Sequence, residues 1–298
     1  MGLFGSKAPD VEKLEQDKDV EGLINALKFN DAVIRMNAMG ALARMRDARA
    51  IEAIVPYLRE SFFQMYAVMA LANIGDPAVP ALVRSLGDKS PMMRAGAARA
   101  LRDVSDGRAI EPLIKLLREN NKNVKIEAMY ALGRAKDSRA IGPLLKVLAD
   151  DAAVNEAASD ALVLIGEPAV WPLINAIKTV SMPVRSDIYR TLVKIGKPAV
   201  QPLIKSLGDG NPAIRSGAAI VLGRLGEACA VEPLLEMLRQ EKMEKFLQSD
   251  TASYRMRMIE GALAAIGEPA IMPLQKALED KNGIVRWVAS ETLWEIMK

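Results

Sequence analysis

One leucine returns along the chain at a nearly fixed interval, and this constrains the fold more than any other feature of the sequence. It stands at Leu42, Leu71, Leu101, Leu132, Leu162, Leu192, Leu222, Leu263 and Leu293, with gaps of 29, 30, 31, 30, 30, 30, 41 and 30 residues. Around each leucine the apolar residues follow the helical period. Four positions earlier stand Ala38, Ala67, Ala97, Ala128, Ala158, Ile188, Ala218, Ile259 and Ala289. Three positions later stand Met45, Ile74, Val104, Ala135, Ile165, Ile195, Leu225, Ile266 and Ile296. These positions share one helical face. Alanine at seven of the nine earlier positions keeps that face thin, so neighbouring helices can approach closely.

A second helix precedes this one in each unit, and prolines and glycines delimit it. Gly75, Gly166, Gly196 and Gly267 each stand before a charged residue and then Pro77, Pro168, Pro198 or Pro269. Glycine just past a helix end accepts a left-handed backbone, and proline suits the first turn of the next helix. Pro112, Pro143, Pro172, Pro202, Pro233 and Pro273 form a further column, which should bend the first helix near its start. Ser90-Pro91 and Asn211-Pro212 read as capped starts of second helices. Each unit is therefore helix, tight turn, helix. Such a hairpin cannot bury its apolar face alone, but a stack of them can. Residues 1–18 read as an N-terminal leader or capping segment and residues 19–298 as a single repeat array. The eighth repeat is irregular, with about eleven residues added near 240–251, where Glu241–Leu247 has good helix-forming composition.

Segments such as Asp106-Gly107-Arg108-Ala109-Ile110-Glu111-Pro112-Leu113-Ile114 and Val124-Lys125-Ile126-Glu127-Ala128-Met129-Tyr130-Ala131-Leu132-Gly133 resemble the HEAT-like repeats named after phycobilisome lyases. The resemblance covers nearly all of residues 19–298. It implies an all-α fold, a right-handed α-solenoid of about nine HEAT-like helical hairpins. It also implies a structural ladder: a basic residue seven before the leucine and an acidic one in the turn between helices. The basic column is Arg35, Arg94, Lys125, Arg185, Arg215 and Arg286, with Gln64, Asn155 and Met256 departing from it. The acidic partners would be Asp88, Glu119, Asp150, Asp209 and Asp280. The family includes scaffolds, chromophore lyases and hydroxylases that hold two irons through His-Glu pairs. With no histidine in this chain, the hydroxylase activity does not carry over.

The composition narrows the chemistry further. Without histidine there is no Ser-His-Asp or Cys-His pair and no imidazole metal ligand. One cysteine, Cys229, excludes a disulfide framework and fits a reducing compartment. Gly196-Lys197 lacks the upstream glycine of a phosphate loop, and Gly208-Asp209-Gly210 lacks the third glycine of a dinucleotide fingerprint. Met1-Gly2-Leu3-Phe4-Gly5-Ser6 fits an acylation pattern, but Lys7 alone supplies nearby positive charge, so no membrane partner is expected. A net charge of +3 argues against nucleic acid.

What remains is surface. In this family the second helices line the concave side, and the columns six before, two before, one after and two after the leucine are expected to form its floor. That floor carries eight basic and five acidic residues. The candidate partner-binding residues are Met65, Met69, Arg99, Arg102, Tyr130, Arg134, Arg190, Lys194 and Arg224, arginine and methionine being suited to adaptable protein interfaces. Trp287 and Trp294 lie on the outward stripe of the last second helix. The expected function is a non-enzymatic, cytoplasmic scaffold or adaptor that binds another protein, with no catalytic residue, cofactor or metal. Two alternatives compete with it: a lyase-type or lyase-accessory protein acting on a chromophore-carrying protein, and nucleic-acid binding by the concave face.

Overall fold

The computed structural model describes residues 8–151, 153–240 and 250–298, the side chains of 150 and 250–255 excepted. The N-terminal acylation pattern and most of the stretch added in the eighth repeat lie outside the described residues. The fold is an all-α solenoid, and no strand occurs among the described residues. No single described helix is long and apolar enough to cross a membrane. The chain divides into two compact units, Met1–Val147 with Glu156–Leu164 and Leu148–Asn155 with Ile165–Lys298.

In the first unit a short helix, Val11–Gln16, precedes the first hairpin, Val20–Ala26 and Ala32–Met45. It packs against both helices of that hairpin. Successive second helices, Ala32–Met45, Gln64–Ile74, Pro91–Val104 and Lys122–Ala135, then pack against one another in chain order. The second unit repeats the arrangement with Met182–Ile195, Pro212–Leu225, Asp250–Ile266 and Gly283–Met297.

The recurring leucine is buried in every unit, from 0% exposed at Leu42 to 8% at Leu293. The residue four before it is buried throughout. Each such leucine contributes about 1.5–3 kcal/mol through burial. A further buried column stands one before the leucine: Ala41, Ala70, Ala100, Ala131, Ala161, Thr191, Val221, Ala262 and Thr292. In three repeats the residue one after the leucine, grouped above with the outward face, sits instead at the joint between neighbouring second helices. Ala43, Gly133 and Gly223 are buried there. A Cβ on Gly133 would lie 2.7 Å from the Ala161 Cα, and one on Gly223 would lie 2.8 Å from the Ala262 Cα. The reason is angular. At 100° per residue this position points sideways rather than opposite the leucine, and sideways is where the next second helix lies.

The residue four after each leucine turns left-handed in eight repeats, by two routes. Gly75, Gly166, Gly196 and Gly267 have φ from +74° to +80° with ψ near −137°, a region that a side chain excludes. Proline follows two residues later, and the first helix begins at once. Arg46, Ser105, Lys136 and Gly226 take the ordinary left-handed conformation, with ψ between 19° and 45°. Here the turn is one residue longer. In three of these turns an aspartate, Asp47, Asp106 or Asp137, accepts the N–H two residues on and pairs with the arginine that carries it. Both routes deliver one buried alanine to the start of the first helix: Ala50, Ala78, Ala109, Ala140, Ala169, Ala199, Ala230 and Ala270. In most repeats a short 3-10 turn precedes the first helix, as Gly107–Ala109 does before Ile110–Leu116. It does not track the proline column, since it also occurs ahead of Ala53 and Ala81 and is absent from Lys197–Ser206, which holds Pro202.

Candidate functional site

The basic column and the turn between the helices build one local motif. At Arg94 the guanidinium Nη1 donates to the Asp88 and Lys89 carbonyls at 2.7 and 3.0 Å, and Nη2 reaches Glu119 of the following repeat at 2.6 Å. Arg215 and Arg286 donate in the same way to the carbonyls of Asp209 and Gly210 and of Asp280 and Lys281. The turn aspartate is thus bound through its carbonyl by its own arginine. Its side chain does other work. Asp88, Asp209 and Asp280 each accept the N–H two residues on at 2.8 Å. Asp88 and Asp280 also take an arginine of the preceding first helix, Arg59 at 2.5 Å and Arg239 at 2.8 Å. Those backbone donors first, and the arginines second, hold the Asp88 and Asp280 carboxyls below the usual carboxylate range.

Two of the three positions that break the column still form ties to the next repeat. Gln64 Nε2 donates to the Met92 carbonyl at 2.8 Å, and Asn155 Nδ2 donates to Asp187 at 2.8 Å. Arg35 is half-buried, 4.3 Å from the Phe63 ring centroid and 3.9 Å from Glu60. Lys125 is also half-buried. Arg185 has a different environment, taken up below.

In the first unit the outward second-helix face has two parts. The earlier repeats present an apolar stripe: Phe62, Met65, Tyr66 and Met69 are all exposed, Phe62 by 62% and Met69 by 55%. Their spacing of three, four and seven residues puts them on one side of the Gln64–Ile74 helix and its leading turn. The later repeats present arginines held by carboxylates. Arg99 lies 2.9 Å and Arg102 3.4 Å from Glu127, and Arg102 stacks over Tyr130 with 4.9 Å to the ring centroid. Arg134 lies 3.6 Å from Asp103, and Arg44 pairs with Glu15 of the leading helix at 2.6 Å. Between the two parts runs a cavity of about 660 Å³, lined by Gln64, Met92, Arg99, Asn121 and Glu127 among others.

In the second unit Arg190 pairs with Asp187, three residues earlier on its own helix, and Lys194 is exposed one turn further on. Arg224 stands apart from that pair. With Ile220, Arg257 and Met258 it lines a cavity of about 540 Å³, and among the described residues neither Arg224 nor Arg257 has a carboxylate partner. On the last two second helices the charge reverses: burial, with Glu295 and Glu291 nearby, raises the Glu260 carboxyl. Trp287 and Trp294 are exposed, and the Lys298 ammonium sits over the Trp294 ring.

The sequence-predicted residues therefore fall into separate clusters. Met65 and Met69 share one patch; Arg99, Arg102, Tyr130 and Arg134 share another; Arg190 with Lys194, and Arg224, are further sites. Glu127, Asp187, Phe62 and Tyr66 also belong to this face, although sequence reasoning does not single them out. Glu127 was legible in principle, because a glutamate five before one leucine comes level with the arginines two before and one after the previous one. Cys229 is exposed in the Ala228–Ala230 turn.

The family profile described as HEAT repeats matches residues 63–122, 110–179 and 170–245, and that of the PBS lyase HEAT-like repeat matches residues 34–60. No curated protein matches the chain by sequence. Among solved structures, human deoxyhypusine hydroxylase in complex with glycerol is similar at 23% identity, over 86% of this chain and 99% of that one, with a TM-score of 0.33. The complex of CpcE and CpcF of phycocyanin lyase from Nostoc sp. PCC7120 is similar at 21% identity, over 93% and 94%, with a TM-score of 0.35. Importin beta is similar at 14% identity, over 97% of this chain and 49% of that one, with a TM-score of 0.49. Likenesses at these values bear on nothing finer than fold.

Proposed function

The chain belongs to the HEAT-repeat family, and from that premise we propose that it is a non-enzymatic scaffold or adaptor that binds another protein on the outward faces of its second helices. The observation that carries this reading is the exposed stripe of Phe62, Met65, Tyr66 and Met69 beside the Arg99–Glu127–Arg102 and Arg134–Asp103 pairs. Large apolar side chains exposed together mark an interaction surface more often than they occur by chance on a monomer. The Arg134–Asp103 pair is exposed on both sides, and a pair of this kind contributes about 0–1 kcal/mol. Arg134 can therefore exchange its internal carboxylate for a partner's at little cost, and among the described residues Arg99 and Arg102 keep donors free beside the half-buried Glu127. Methionine and aromatic side chains supply apolar contact area that adapts to shape.

The test is a pull-down with the full chain, identification of the captured protein, and a repeat with Arg99, Arg134 and Arg190 changed to glutamate. Capture should be lost while the thermal melt followed by circular dichroism stays nearly unchanged. Undiminished capture by a folded variant would overturn the assignment of the arginines. A companion variant, Met65→Ser with Met69→Ser, asks the same of the apolar stripe.

A further inference from the structure

Arg185 departs from its column in a way that points to a ligand. Arg94, Arg215 and Arg286 each donate Nη1 to carbonyl oxygens of their own turn. Arg185 does not. Where the turns of those repeats carry Asp88, Asp209 and Asp280, the turn before Arg185 carries Thr179. Among the described residues the one polar contact of Arg185 is from Nη1 to the Met182 sulfur at 3.7 Å; its Nε is buried without a partner, as are those of Arg35 and Arg94, so the difference lies in the missing turn oxygens.

This guanidinium lines a cavity of about 350 Å³ within the second unit. The walls are mainly apolar, formed by Met182, Tyr189, Ile220, Met237 and Met258. Arg215 and Ser216 add to the polar lining, and among the described residues no carboxylate belongs to it. Arg215 spends Nη1 on the turn carbonyls, and no hydrogen bond engages its Nη2 among the described residues. Among the described residues, two positive groups therefore share a largely apolar recess without a countercharge. Taking a charge out of water is costly unless it is paired. A bound anion relieves that cost through short, charge-assisted hydrogen bonds, and guanidinium geometry suits a carboxylate. The volume falls in the range of small-ligand pockets, and so does the pattern of apolar walls with a few polar groups.

We propose that this cavity binds an amphiphilic carboxylate, the acid group held by Arg185 and Arg215 and the apolar body against Met237 and Met258. This site is independent of the partner-binding reading. The acid group could arrive on a free small molecule or at the end of a peptide, and the experiment separates these sources.

Isothermal titration of the full chain with 4-phenylbutyrate and with its neutral amide tests the recognition. A peptide ending in phenylalanine, with free or amidated terminus, forms the second arm. At least one acid should bind saturably and about tenfold or more tighter than its amide. Arg185→Gln should abolish that difference with the melt unchanged, and Ser216→Leu, which fills the recess and keeps both arginines, should remove binding of acid and amide alike. Preference for the small acid identifies a free ligand, and preference for the peptide identifies a chain terminus. Equal binding of acid and amide, full binding by Arg185→Gln, or no saturable binding in either arm overturns the proposal.

Discussion

At the scale of single residues, the size of one side chain decides how closely two helices stack. Gly133 and Gly223 sit at joints where the facing groups are backbone atoms of Ala161 and Ala262, which cannot move aside as the end of a flexible side chain could. Gly133→Val should therefore destabilise the protein by about 1–3 kcal/mol through overpacking. Gly142 makes a control: it is exposed on its helix, and a Cβ added there would meet nothing within 4 Å. Gly142→Ala should leave stability unchanged or raise it by up to about 1 kcal/mol. Denaturant midpoints of the two variants would check the contrast. Equal midpoints would mean that the stack relaxes freely at the joint.

At the scale of the element, the turns carry most of what is distinctive. In the longer turns the Asp47 carboxyl is pushed down to about 2, chiefly by hydrogen bonds from the Arg49 guanidinium and then by the Arg49 N–H. Asp106 and Asp137 shift in the same direction for the same reasons. A carboxyl lowered by folding adds stability that is complete above its unfolded pKa of about 4 and disappears as the pH falls towards the folded value. The melting temperature should thus drop between about pH 4 and about pH 2. The triple variant Asp47→Asn, Asp106→Asn and Asp137→Asn should melt lower at neutral pH and show a shallower acid drop. An unchanged acid profile in that variant would place the sensitivity elsewhere.

The turns also show what could be read from sequence. The leucine column and its alanines specify the hairpins because helical periodicity is a local property. The glycine-proline turns were legible for the same reason. The outward face was less so. Arg99, Arg102, Arg134 and Arg190 look free in the sequence, yet each has a carboxylate partner, three of them on a neighbouring helix. Periodicity alone does not show that the residue after the leucine faces a joint, because where the next helix lies depends on packing between repeats. The missing turn contacts of Arg185 needed coordinates, since its column predicts that Nη1 reaches the turn carbonyls.

At the scale of the whole molecule, the two kinds of turn make the chain divisible. Gly166-Glu167-Pro168 and Gly196-Lys197-Pro198 have the same backbone, with φ of +80° and +77° and ψ of −135° and −136°. Excising residues 167–196 would splice Gly166 to Lys197-Pro198 and restore an identical seam. The shortened polypeptide should keep its helical signal per residue and a cooperative melt, whereas a cut of about half that length, which removes one helix of a hairpin and breaks the register, should yield insoluble product. Length in such a chain behaves as a count of cassettes, which unequal copying of the coding sequence can add or drop without rewriting the junctions.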